Sequence, residues 1–293
     1  VKANVIEDGS ITIPARKLLS ICKEMEESIA FDCDGSLLKV TSGKSLFKLK
    51  GLPADDFPKV EIPELPFVKI GIREAIAKTA FAMANDDRTN LNGVFVETTS
   101  LGNNMVATDG HRLALCKFNA PVFLEKGIII PRKALAHISK MGKEVEMAVE
   151  GDNLYVKDEG ASLKVRLVDG SFPDYKRVIP NDSSLNIEMV TVPFMATLNR
   201  IALITSEKFS GTTITLGKGK MTLFCSSDEG DSTEEIDVSY TGEDVVLSFN
   251  VNYLKDAVGV VDKEKFIFQI NAGLRPSIVK ENGYLCVVMP LKG

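Results

Sequence analysis

The sequence predicts an α+β fold made of repeated helix-plus-antiparallel-sheet units. Three observations predict it: an internal repeat, strand-type alternation bounded by turn residues, and short helical segments introduced by proline. In order along the chain, Ile11-Thr12-Ile13 reads as a β-branched strand, Pro14 as a helix start, and Ala15-Arg16-Lys17-Leu18-Leu19 as a helix. The pattern returns, with a period of roughly 117 residues, as Ile128-Ile129-Ile130, Pro131 and Arg132-Lys133-Ala134-Leu135. A weaker third copy is Leu247-Ser248-Phe249-Asn250-Val251-Asn252-Tyr253-Leu254, with Asn250 at the proline position. Downstream, Leu52-Pro53-Ala54-Asp55-Asp56-Phe57-Pro58 is echoed by Val168-Asp169-Gly170-Ser171-Phe172-Pro173.

A second kind of unit alternates with the first. The stretch from Ile72 to Phe81 has the periodicity of an amphipathic helix and is followed by strands near Val94–Glu97 and Leu113–Leu115. The stretch from Pro193 to Ile201 does the same, with strands near Thr212–Leu216 and Leu223–Cys225. Gly93 and Gly211 align. Segments such as Ser36–Val40 and Ser162–Arg166 alternate with period two, as half-buried strands do. The units group as 1–65, 66–183 and 184–293, the first holding one unit and the others two. That order implies a preceding unit of roughly 60 residues, and a truncated or processed chain starting at Val1 rather than Met.

Composition narrows the function. No run of about 18 apolar residues predicts a membrane span, and no signal peptide is legible. The five cysteines, Cys22, Cys33, Cys116, Cys225 and Cys286, are scattered without a Cys-x-x-Cys pair and read as reduced core residues of a cytoplasmic protein. With only His111 and His137, no zinc site is expected, and no cofactor motif appears. The net charge of −5 argues against tight static binding of DNA, yet allows a basic stripe on an acidic body. Arg16 and Lys23 share a helix face, as do Lys133 and Lys140, with Arg73 and Lys78 on the other helix type. These residues read either as a phosphate-attracting stripe or as solvated helix faces.

The segment Ala107-Thr108-Asp109-Gly110-His111-Arg112-Leu113-Ala114-Leu115 invites an acid–base reading of Asp109 and His111. It lacks a nearby nucleophile, a phosphate loop or a second His, so a tight Asp-Gly turn between strands is the better reading. With this segment, Ile13-Pro14-Ala15-Arg16-Lys17, Leu91-Asn92-Gly93-Val94, Phe172-Pro173-Asp174-Tyr175 with Arg177-Val178, and Val287-Val288-Met289-Pro290, the sequence resembles bacterial sliding clamps, the beta subunit of DNA polymerase III, from end to end.

The resemblance implies three similar domains per chain and two chains joined head to tail in a ring around duplex DNA. It implies a non-enzymatic processivity factor that tethers polymerases and meets clamp-loader subunits through short linear peptides with a leading Gln and trailing apolar residues. The peptide cleft carried over comprises Leu91, Thr108, Gly110, His111, Arg112, Leu113, Pro173, Arg177, Val178, Val287, Met289, Pro290, Leu291 and Lys292. The DNA-facing set is Arg16, Arg73, Asn85, Arg88, Arg132, Lys133 and Lys140. The homodimer contact is Lys17, Met25, Phe47 and Leu49 against Leu203 and Ile204 of another chain. The sequence departs from the family in ending Leu291-Lys292-Gly293 and in carrying Thr89-Asn90 before Leu91, where an aromatic pair is common. Two competing readings remain: a clamp-like peptide-binding scaffold that closes no ring, and an enzyme using Asp109 and His111.

Overall fold

The computed structural model describes residues 3–58, 60–86, 90–122, 124–180, 185–206, 210–271 and 273–291. The chain divides into two compact units, Val1–Glu61 and Ile62–Gly293.

In the first unit, Pro14 precedes helix α1 (Ala15–Lys23) at φ −61°, the value its ring already imposes. Strands β1 (Ala30–Asp34), β2 (Leu37–Ser42) and β3 (Ser45–Lys50) follow in an antiparallel sheet of that order. Both hairpin loops have two residues and open on a glycine at positive φ, Gly35 at 59° and Gly43 at 54°, the conformation that tight hairpins require. Alternation along β2 buries Leu38 and Val40, which meet Ile21 from α1 in a small core. The side chains of β1 are all exposed, so Cys33 is an exposed thiol rather than the core residue expected, and Cys22 is half-buried. Cys116, Cys225 and Cys286 are buried.

The second unit opens with β4 (Val68–Ile70) and α2 (Arg73–Thr79), which tightens into a 3-10 turn over Ala80–Ala82. Strands β5 (Gly93–Thr99), β6 (Gly102–Thr108), β7 (Arg112–Phe118) and β8 (Ile128–Pro131) lead to α3 (Arg132–Ile138), then β9 (Val145–Glu150), β10 (Asn153–Lys157) and β11 (Ser162–Arg166). A 3-10 turn, Tyr175–Val178, precedes the next repeat. That repeat runs through β12 (Leu185–Val190), α4 (Thr191–Ile201), β13 (Gly211–Gly217), β14 (Lys220–Ser227), β15 (Gly230–Asp237) and β16 (Val245–Asn250). It ends with α5 (Val251–Gly259), β17 (Lys265–Ile270), β18 (Ser277–Glu281) and β19 (Tyr284–Val288). Helix α4 starts two residues before Pro193, which lies in the first turn, where no backbone N–H is needed. The third helix start replaces proline by a different device: the Asn250 side chain accepts from Asn252 N at 2.9 Å. Gly93 lies opposite Pro131, and Gly211 opposite Asn250, at the same place in each repeat. A Cβ on Gly93 would stand 2.6 Å from the Ile130 carbonyl oxygen.

The sheets are not confined to repeats. Strand β19 pairs with β7, with Val287 opposite Leu113, and joins both repeats in one eight-stranded sheet of order β12-β17-β18-β19-β7-β6-β5-β8. Four-stranded sheets β11-β10-β9-β4 and β15-β14-β13-β16 complete the unit. One apolar core holds Ile76 of α2, Leu135 of α3, Phe194 of α4 and Leu254 of α5 with the strands' inner residues. A separate cluster, Val106, Leu113, Leu115, Tyr175, Ile278 and Val287, holds the polypeptide around 172–179 over the opposite face of the eight-stranded sheet.

Candidate functional site

The turn between β6 and β7 is built by its own side chains. Thr108 Oγ1 donates to the Arg112 carbonyl at 2.7 Å and accepts from Gly110 N at 3.1 Å. Asp109 Oδ1 accepts from the backbone of His111 and Arg112 at 2.9 and 3.0 Å. Gly110, at φ +88°, supplies the left-handed step. The Asp109 carboxylate is thus engaged by donors, while the His111 ring lies beside Tyr253 at 6.4 Å between centroids. This is turn architecture, not an acid–base pair.

Arg112 is the pin of this region. Its Nε donates to Asp109 Oδ2 at 3.0 Å, one terminal nitrogen to Asp256 of α5, and the other to the Phe81 carbonyl at 2.8 Å. The guanidinium carbon lies 4.4 Å from the Tyr253 ring centroid and 5.3 Å from that of Phe81. Burial opposes its charge, but Asp256 and Asp109 outweigh that and hold its pKa above the ordinary value.

Beside the turn, Leu113 and Val287 are each only 2% exposed and form the floor where β7 meets β19. Met289 continues the line, its N–H donating to the His111 carbonyl at 3.0 Å, and Leu291 N donates to the Ser248 carbonyl at 2.7 Å. Val178 at 48%, Met289 at 37% and Leu291 at 38% exposure are accessible apolar rim residues, with Pro173 and Arg177 exposed and Leu91 and Pro290 half-buried. Thr108, Gly110, His111, Leu113, Val287 and Met289 are thus gathered around one seam. Arg112 reaches the same place but its donors point into the protein. Lys292 lies outside the described residues.

On the inner side of the seam Lys78, read from the sequence as charge on a phosphate-attracting or solvated helix face, is instead buried in a cluster of carboxylates that the sequence did not show. Lys78 Nζ, on a side chain 8% exposed, meets Glu74 at 3.1 Å and Asp262 and Glu281 at 2.8 Å. Burial works against its charge, yet the three carboxylates raise its pKa well above the usual lysine value. The Glu74–Lys78 spacing was legible as a helical pair; Asp262 and Glu281 arrive from the next repeat and were not. The neighbouring Cys116 thiol is buried, which pushes its pKa up to about 11.

The basic residues separate by environment. Arg16, Lys133 and Lys140 are exposed, with no side-chain hydrogen bond or ion pair to another described residue. Asn85 is exposed as well. Arg73 is exposed and donates to the Met141 carbonyl. Arg132 is half-buried, its guanidinium on the Met83 and Ala84 carbonyls at 3.0 Å and on Asn92 at 2.9 Å, where it fastens the end of α2 to the following loop. Arg88 lies outside the described residues. Of the dimer set, Lys17, Phe47 and Leu203 are exposed. Met25 and Leu49 pack partly on the core of the first unit, and Ile204 partly on that of the second. Among the described residues no group of three His, Cys, Asp or Glu could hold a metal ion, and no helix is long and apolar enough to cross a membrane.

Repeated units of this kind, with sheets continuing from one repeat into the next, define the DNA-clamp class of protein. Three family models cover the chain: the N-terminal domain of the DNA polymerase III beta subunit at residues 1–61, its central domain at 69–174 and its C-terminal domain at 176–290. The beta sliding clamp of Vibrio cholerae serotype O1 is 33% identical over 98% of this chain and 82% of its own length. The crystal structure of the DNA polymerase III subunit beta from Pseudomonas aeruginosa is 32% identical, with a TM-score of 0.88 over 100% of this chain and 85% of that one. The Pseudomonas aeruginosa sliding clamp bound to griselimycin matches with a TM-score of 0.89 at 32% identity, over 98% of this chain and 82% of that one. The chain belongs to the beta sliding clamps, the processivity factors of DNA polymerase III, and is an accessory subunit rather than an enzyme.

Proposed function

We propose that the seam between β7 and β19 is a docking cleft for short linear peptides of polymerases and clamp-loader subunits, on a subunit that pairs with a second copy around duplex DNA in the cytoplasm. The observation that carries the cleft is the buried Leu113–Val287 floor rimmed by accessible Pro173, Val178, Met289 and Leu291. Apolar anchors in such a groove supply most of the affinity, and the polar rim supplies register. In this reading Leu91, Thr108, Gly110, His111 and Pro290 flank the floor, Arg177 and Lys292 offer charge at the rim, and Arg112 holds the turn that carries Thr108 and His111.

The domains are 1–65, 66–183 and 184–293. Arg16, Lys133 and Lys140 carry the sequence-independent phosphate contacts, with Arg73, Asn85 and Arg88 beside them and Arg132 positioning the loop. Head-to-tail pairing of copies has a physical basis in two edge strands: β3 exposes Lys48 and Lys50, and β15 exposes Asp231, Glu235 and Asp237. An open basic edge laid along an open acidic edge gains backbone hydrogen bonds and opposite charge together. Phe47, Leu49, Lys17 and Met25 lie on the first side, with Leu203 and Ile204 on the other.

The test is fluorescence anisotropy with a labelled short peptide led by glutamine and ending in apolar residues. Met289→Asp, at a rim position, weakens binding more than tenfold while the melting temperature barely moves. Unchanged affinity removes the cleft from this seam. Loaded onto DNA by a clamp loader, the protein stays on closed circles and is lost from linear molecules; equal retention on both defeats encirclement.

A further inference from the structure

We infer that Tyr175, held by Glu97 and Asn104, is the positioning group that sets the outer wall of the cleft and thereby its selectivity for the trailing apolar residue of the peptide. The inference rests on the cleft reading above. The wall is the polypeptide around 172–179, and the contacts beneath it are unequal along its length. Just before it, Leu167 N donates to the Asp152 carbonyl at 2.9 Å and Val168 N to the Ile129 carbonyl at 3.0 Å, and Gly170 turns the chain at φ +119°. Phe172 then stacks flat on Phe95, with centroids 4.9 Å apart and planes 7° from parallel. A cavity of about 370 Å³, lined by Phe95, Ile129, Ser171 and Phe172 among others, adjoins this first half, where the Asn90 side chain also donates to the Ser171 carbonyl.

In the second half Tyr175 and Ile179 pack on the sheet, and Tyr175 carries the buried polar tether. Tyr175 is 5% exposed, and its hydroxyl donates to Glu97 Oε1 at 2.5 Å while accepting from Asn104 Nδ2 at 3.1 Å. Asn104 also donates to Glu97 Oε1 at 3.3 Å, and Lys176 Nζ approaches the same oxygen at 3.2 Å. Glu97 and Asn104 face each other across the β5–β6 pair, so the acceptor is anchored in the rigid sheet. Three residues after the tether, in the same 3-10 turn, comes the exposed Val178. A turn this short transmits the position of its buried tyrosine to its exposed valine. A hydrogen bond to a charged acceptor is directional, and its loss frees the wall without removing the aromatic ring from the cluster.

The experiment compares the full chain with Tyr175→Phe and Glu97→Gln, using two labelled glutamine-led peptides that end in leucine or in alanine. As a control for stability alone, Val156→Ala removes methyl groups from the buried β10 core, away from the wall. In Tyr175→Phe the leucine peptide binds about fivefold to tenfold more weakly, through faster dissociation, and the leucine-to-alanine preference narrows. Glu97→Gln, which keeps the size of the acceptor, moves both readouts in the same direction by less. Val156→Ala lowers the melting temperature and leaves affinity and preference unchanged. Wild-type binding with an unaltered preference in Tyr175→Phe, or in Glu97→Gln should Tyr175→Phe fail to fold, overturns the inference alone. A wild-type chain that binds neither peptide overturns the cleft reading beneath it. Equal narrowing in Val156→Ala also overturns the inference, because general loosening would then suffice.

Discussion

Two outward sheet faces of the second unit share a strand pattern and differ in fate. Across one runs the row Ile129, Phe95, Val106, Leu115 and Leu285, and across the other Ser248, Thr213, Phe224 and Thr233, in the same register. Each is met at the same place by a following segment: Val168 N bonds the Ile129 carbonyl, and Leu291 N bonds the Ser248 carbonyl. The first row is apolar, is covered by Phe172, Tyr175 and Ile179, and is continued by the seam to β19. The second is largely hydroxylic, with Thr213 Oγ1 and Ser248 Oγ 3.0 Å apart, and its side chains are half-buried or exposed. Four strands follow the same order in both; the covered row continues from β7 into β19 while the bare row ends at the open edge strand β15, and apolar side chains line the first where hydroxyls line most of the second.

The largest effect expected from breaking this comparison lies under the seam. Lys78→Met leaves Glu281, 3% exposed, without its cation. Removing one partner of a buried ion pair costs about 3–5 kcal/mol, so a chemical-denaturation midpoint should fall steeply. A change under about 1 kcal/mol would mean that the cluster is hydrated and does not lock the repeats together. The pH dependence has a definite sign. The folded-state pKa of Lys78 is raised, so its contribution is complete below the ordinary lysine value and is lost only as pH rises above it. Between pH 6 and pH 9, roughly, the titration of Lys78 itself should therefore add no slope to the wild-type stability curve.

Next in size is Leu113→Ala, which opens a cavity in the covered row's cluster. The expected loss is about 2–4 kcal/mol, with weaker peptide binding because the floor is gone. Binding that persists while stability falls would place the anchor pocket elsewhere.

How much of this was legible follows from the same residues. The repeat, the helices introduced by Pro14 and Pro131, and the Asp109-Gly110 turn are local features, and local features leave marks in sequence. The Asn250 cap was visible as a substitution at the proline position, and the structure supplies its reason. The continuous eight-stranded sheet was not visible, because β7 and β19 are joined by pairing between distant segments and nothing in either strand names its partner. Arg132 and Arg112 read as charges available to ligands, yet the carbonyls that take up Arg132 and the Asp256 that holds Arg112 are chosen by the tertiary fold. The cleft residues entered through resemblance, since a buried Leu113 has the same sequence signature as any core leucine.

A smaller effect should appear in acid. Burial tends to raise the Glu97 pKa, but hydrogen bonds from Tyr175, Lys176 and Asn104 lower it overall. A carboxylate whose folded value is depressed contributes stability above its unfolded pKa, near 4.3, and loses that contribution as pH falls through the folded value. Relative to the intrinsic rate, hydrogen-exchange protection over 171–179 should accordingly fall below about pH 4 in the wild type. In Glu97→Gln the same segment should exchange faster at neutral pH and show little further acid response. Identical acid profiles for the two proteins would assign the loosening to other carboxylates.

The smallest effect is the one that closes the comparison. Thr233 stands in the bare row where Leu115 stands in the covered one, each paired to the middle of its sheet, through Phe224 and Val106 respectively. Leu115 is buried and Thr233 exposed. Thr233→Ala removes a solvated hydroxyl and some strand preference, and should stay within about 0.5 kcal/mol in a denaturation measurement. Leu115→Ala at the matching place should cost about 2–4 kcal/mol. If Thr233→Ala were as damaging as Leu115→Ala, the bare face would have to be covered in solution, and strand pattern rather than side-chain chemistry would have predicted the better site. A difference of several-fold between the two positions would show instead that the repeat supplies the frame and that the apolar row is what draws a covering segment onto one copy of it.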